Sequence, residues 1–153
     1  SIPVSGRFTK RQKEVYQSVL HVMRSAIKLL KPGVKYFEYH QEVQKIMGGE
    51  LLKLKLIDKT DLKNQTKEKP AVAKYFMHGT GHHLGLDVHD VGNMYDNMKE
   101  GMFWTVEPGI YIREEKLGIR LENNVLIQKN KVVDLMKNIP IEAEEIEELM
   151  NQR

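Results

Sequence analysis

Apolar residues recur at steps of three and four from Val15 through Tyr16, Val19, Leu20, Met23 and Ile27 to Leu30. That spacing collects them on one stripe of a helix. Thr9-Lys10-Arg11-Gln12 just ahead reads as a capping box, with Thr9 as N-cap and Gln12 reaching back. Pro32, in Lys31-Pro32-Gly33, cannot continue the helix and ends it. A second helix is predicted from about Tyr36 to Leu54, on Phe37, Val43, Ile46, Met47, Leu51 and Leu54. Gly48 and Gly49 weaken its middle by about 1 kcal/mol each. Residues 58–74 are charged and polar, with Pro70 near the end, and read as a loop or marginal helix. From Tyr75 the pattern changes to short apolar runs broken by Gly and Pro: YFM, LGLDV, MFWTV, GIYI, GIRLENNVLI and KVVDL. These read as strands and turns. Residues 140–150 place Ile141, Ile146, Leu149 and Met150 among glutamates, as in an acidic terminal helix. Helices first and strands after favour an α+β class.

Composition narrows the partners. The 153 residues suit one domain able to bury a core, at 41% hydrophobic and 29% charged. The net charge of +3 is small and the lysines are scattered, so a nucleic-acid partner is not expected. There is no cysteine, so disulfides are excluded and any metal is held by nitrogen and oxygen. No apolar run approaches the roughly 20 residues of a membrane span, and Ser1-Ile2-Pro3-Val4 does not read as a signal peptide. His21 and His40, each isolated on a helix, read as surface or packing residues.

The chemistry gathers in three stretches. Residues 77–92, MHGTGHHLGLDVHDVG, hold His78, His82, His83 and His89, four of the six histidines, together with Gly79, Gly81, Gly85 and Gly92. So many glycines argue against a helix. In helical or extended geometry alike, His78 and His82 share a face and address one space. Glycines at this spacing mark close approach of backbone to a ligand or strand. Glu107, in FWTVEPGIYI, ends an apolar run before a Pro-Gly turn, which puts a carboxylate at a sheet rim. Buried there it is costly unless paired or bound to metal. In GIRLENNVLI, Arg120 and Glu122 alternate with Ile119 and Leu121. They form either a solvent-side ion pair or a metal carboxylate steadied by a guanidinium. A His/Glu/Glu set without cysteine suits Mn²⁺ or Zn²⁺, and carboxylates able to bridge favour a two-metal hydrolytic site. The sequence patterns of P-loop NTPases, serine hydrolases and zincins are missing. The residues alone therefore point to a metal-dependent hydrolase.

HGTGHHLGLDVHDVG, TVEPGIYI and GIRLENN, in this order, resemble the motifs of the proline-specific metallopeptidases with the pita-bread fold. Aminopeptidase P (Xaa-Pro aminopeptidase) is the nearest branch and prolidase the next. IPVSGRFTKRQKEVY is similar to the segment that enters the family's first long helix, and IPIEAEEIEELM to its C-terminal helix. The resemblance implies an α+β domain, a mainly antiparallel curved sheet with helices on its outer face. Residues 1–153 would form part of it, without its first strands and without the preceding domain. It implies removal of the residue before proline from peptides with proline at the second position. The implied cofactors are two divalent ions, Mn²⁺ ahead of Zn²⁺ or Co²⁺, with a metal-bridging hydroxide as nucleophile.

The family's ligands are two Asp, one His and two Glu. By motif, His82, Glu107 and Glu122 fall on the metal positions, and His78 and His89 on the substrate-holding histidines. Glu107 doubles as proton relay, and Arg120 stands beside the last ligand. The two Asp ligands precede the equivalent of Ser1, so three of five ligands are present and the chain alone is expected to be weakly active or inactive. Two features depart from the pattern. Asn123 and Asn124 stand where the family usually has aspartates, and His83 replaces a large aromatic. The alternatives are a prolidase acting on dipeptides and a non-catalytic pita-bread binding module, although the latter generally lacks the ligand set. A cytoplasmic location, and room for a homo-oligomer, complete the expectations.

Overall fold

The computed structural model describes residues 1–66 and 68–152. Lys67, within the polar 58–74 stretch, lies outside the described residues. Helix α1, Lys10–Leu29, opens on the expected capping box: the Thr9 hydroxyl accepts from Gln12 N, and Gln12 Oε1 accepts from Thr9 N. Its apolar stripe, Val15, Tyr16, Val19, Leu20 and Met23, is buried. Helix α2, Tyr36–Lys53, runs unbroken through Gly48 and Gly49. Tertiary burial of Tyr39, Val43, Met47 and Leu51 outweighs the glycine cost. The polar stretch carries a short helix α3, Lys59–Asn64, capped by Asp58, and a 3-10 turn, Ala71–Lys74.

Among the described residues five short strands follow: β1 Phe103–Val106, β2 Gly109–Ile112, β3 Leu117–Arg120, β4 Asn123–Ile127 and β5 Val132–Asp134. All their pairings are antiparallel, in two sheets of order β1-β4-β5 and β2-β3. Helix α1 packs on α2 and lies against β1, β2 and β3, and α4, Ala143–Asn151, closes over α1. The α+β class and the antiparallel sheets agree with the sequence expectation.

Some strand expectations fail. YFM leaves the 3-10 turn as coil, and residues 85–88 of LGLDV are bends. Close approach of Asp90 at Gly85 and of His83 at Gly92 holds that stretch in a compact loop instead. GIRLENNVLI divides into β3 and β4, which belong to different sheets, with Leu121 and Glu122 as the crossover. The alternation nevertheless survives the break: Ile119, Leu121, Asn123, Val125 and Ile127 are buried, while Arg120 and Glu122 are exposed.

Candidate active site

Residues 80–84 run alongside β1 although they form no strand of their own. Glu107 N donates to Thr80 O at 2.8 Å, Thr105 N to His82 O at 3.0 Å, and Leu84 N to Phe103 O at 3.2 Å. This pairing requires Gly81, because a Cβ there would overlap the Thr105 carbonyl oxygen. The chain then folds back: Asp90 N donates to His83 O at 3.2 Å, and a Cβ on Gly92 would overlap the His83 ring. The return brings His89 edge-on to His82, with ring centroids 4.3 Å apart. His83 packs edge-on against the buried Trp104 at 4.6 Å.

Hydrogen bonds at Nδ1 fix which ring nitrogen of the cleft histidines carries a hydrogen. His82 Nδ1 lies 2.8 Å from the His83 carbonyl oxygen, which can only accept, so Nδ1 carries the hydrogen. In the neutral ring Nε2 is then a bare lone pair, and it lies 3.2 Å from Glu107 Oε1. Two acceptors facing each other across that gap call for a positive charge between or beside them. The same reasoning assigns His78: Nδ1 donates to Gly79 O at 2.8 Å, and Nε2 accepts from the Tyr111 hydroxyl at 2.9 Å. Burial pushes the Tyr111 phenol above its ordinary value, outweighing Arg120, and keeps it a donor.

Glu107 follows β1 directly and is only 9% exposed. Arg120 Nη1 donates to its Oε2, and the Thr105 hydroxyl donates to its Oε1 at 3.2 Å. Arg120 also pairs with Glu122 Oε2 at 3.2 Å. His78, Gly79, Gly81, His82, His89, Glu107, Tyr111 and Arg120 line an open cleft of about 450 Å³. Of the residues singled out from sequence, His78, His82, His89, Glu107 and Arg120 therefore meet in one place. Glu122 stands one step outside, joined to the cleft through Arg120.

The donor set is imidazole nitrogen and carboxylate oxygen, which suits a divalent ion of intermediate hardness. The bare His82 Nε2 opposite Glu107 fits one edge of such a site. Among the described residues, no three His, Asp or Glu side chains converge as a complete metal site.

Sequence reading missed two residues of the site, Tyr111, which lines the cleft, and Thr105, buried behind it. Thr105 lies two positions before Glu107, on the same strand face, and the period of two could have found it. Tyr111 stands two residues into β2, and only the fold brings it to His78. His40 is not isolated either: its Nδ1 lies 2.8 Å from the Thr80 hydroxyl, and its ring stacks on Tyr36 at 5.9 Å.

Known proteins share this fold. The chain is 39% identical to a Xaa-Pro aminopeptidase of Haemophilus influenzae over 99% of its own length and 37% of that protein. It is 37% identical to the Xaa-Pro aminopeptidase of Escherichia coli over 98% of its length and 36% of that protein. The solved structure of zinc-substituted E. coli aminopeptidase P in complex with product superposes with a TM-score of 0.86 at 37% identity, covering 97% of this chain and 36% of that one. The chain thus spans little more than a third of the length of these relatives. No described helix is long and apolar enough to cross a membrane. With residues 1–129 matching the family throughout both the helical layer and the cleft, the chain belongs to metallopeptidase family M24.

Proposed function

We propose that this chain supplies the histidine- and glutamate-bearing side of a site that hydrolyses the bond between an N-terminal residue and a following proline. The observation that carries the reading is the approach of His82 Nε2 to Glu107 Oε1, 3.2 Å apart in the cleft. The relatives named Xaa-Pro aminopeptidase support it over the dipeptide-only alternative. His82, Glu107 and Glu122 would hold divalent ions, Mn²⁺ by preference, with further donors from outside these residues. Bound there, such ions supply Lewis-acid polarisation of the scissile carbonyl and lower the pKa of water.

The chain's own residues do the rest. His78, its tautomer set by Tyr111 and Gly79, presents a fixed ring to the peptide. His89, exposed at the mouth and edge-on to His82, contacts the substrate from the other side. Glu107 takes up and returns a proton at Oε1, while Arg120 anchors Oε2. Residues 1–153 then form part of a pita-bread catalytic domain. The 153-residue chain alone binds Mn²⁺ weakly and turns over little, because its donors complete only one edge of a site.

Calorimetric Mn²⁺ titration and a Xaa-Pro peptide assay test this on the chain alone and on the full-length polypeptide. Full-length protein should bind Mn²⁺ and release the first residue, and Glu107→Ala should cost more than the roughly 10–100-fold that loss of an outer partner costs. Brisk turnover by the 153-residue chain would overturn the partial-domain reading. A full-length protein that ignores both Mn²⁺ and Xaa-Pro peptides would overturn the function.

A further inference from the structure

We propose that Thr105 is a positioning residue that locks His82 and Glu107 to each other, an inference that rests on the metallopeptidase reading of the cleft. Thr105 is fully buried at 0% exposure, in the middle of β1. Its main chain and side chain both engage His82. Thr105 N donates to His82 O at 3.0 Å, and His82 N donates to Thr105 Oγ1 at 3.0 Å. In a regular antiparallel pair the second bond would run to a backbone carbonyl. Here a side-chain hydroxyl replaces it.

That replacement sets the direction of every hydrogen. A backbone N–H only donates, so the hydroxyl must accept from His82. Its single hydrogen is then directed to Glu107 Oε1, 3.2 Å away. Oε1 is the oxygen that faces His82 Nε2, and Oε2 is held by Arg120. One oxygen atom on β1 therefore ties the backbone of the histidine to the carboxylate of the glutamate. It also orients the carboxylate oxygen that the histidine lone pair addresses. Valine would fill the same volume and break both links. Serine would keep both and lose only a methyl.

The experiment is Mn²⁺ calorimetry and steady-state Xaa-Pro hydrolysis on full-length protein carrying Thr105→Ser, Thr105→Ala or Thr105→Val. Thr105→Ala and Thr105→Val should lower Mn²⁺ affinity about 10–100-fold and reduce kcat with little change in KM, while Thr105→Ser stays within about threefold of the parent. A merely structural threonine would instead lower the melting temperature of the metal-free protein and leave the affinity of the folded fraction intact. That result overturns the proposal, as does a Thr105→Ser protein that falls as far as Thr105→Ala. If Thr105→Ala does not fold, the size-matched Thr105→Val carries the comparison with Thr105→Ser. A parent protein that binds no Mn²⁺ overturns the metallopeptidase reading itself, and this inference with it.

Discussion

The α1–α2 layer and the loop of residues 84–98 use the same kinds of residue to opposite ends. In the helical layer Val15, Val19, Val43, Met47 and Leu51 are wholly inside. In the loop Leu86, Val88, Val91 and Tyr95 stand in solvent. The layer is stabilised by apolar burial. The loop is anchored at its ends by backbone hydrogen bonds, Leu84 N to Phe103 O in β1 and Met98 N to Val34 O, and by the close contacts at Gly85 and Gly92. His89 sits in this loop, and His78 and His82 just ahead of it, where stability comes from backbone fit more than from burial, which leaves those side chains facing the cleft.

The largest way to break this division is at Trp104, the buried ring on which His83 and Tyr36 both pack. Trp104→Ala should cost about 3–5 kcal/mol in denaturant unfolding, and a loss under about 1 kcal/mol would mean the loop does not depend on the core. A like-for-like pair sharpens it further. Leu51→Ala, at 0% exposure, should cost about 2–5 kcal/mol. Leu86→Ala, at 103%, should stay within about 0.5 kcal/mol. Similar costs for the two leucines would show that the loop has a partner surface in the folded protein.

Gly81→Ala tests backbone fit directly, since the added carbon would meet the Thr105 carbonyl. It should cost about 1–3 kcal/mol and loosen the 80–84 pairing, seen as faster amide exchange at Thr105 and Glu107. The smallest effect is one of pH. Burial, with the His78 charge adding to it, holds the His40 imidazole below its ordinary value of 6.5. The unfolded chain therefore binds more protons than the folded one below that pH. The stability from neutral His40 is complete above about 6.5 and is lost as pH falls toward the lower folded value. His40→Asn should flatten the fall in melting temperature between neutral pH and about 5. An unchanged slope would place the acid sensitivity elsewhere.

Sequence periodicity by itself determined the helical layer. The Thr9 box, the stripe from Val15 to Leu30 and the stop at Pro32 all involve neighbours within a turn or two, so the chain carries their cause locally. Local signals also marked the glycine-spaced histidine stretch and the strand-end carboxylate Glu107, while the family resemblance picked out His78, His82, His89 and Arg120. Only the tertiary structure decided what those residues meet. His82 reaches Thr105 and Glu107 across more than twenty residues, His78 reaches Tyr111, and His40 leaves its apparent isolation to bond Thr80. Glu122, at the crossover between the two sheets, joins the cleft through its pairing with Arg120. A side chain's partner across a sheet depends on register and strand order, and no short-range pattern encodes either.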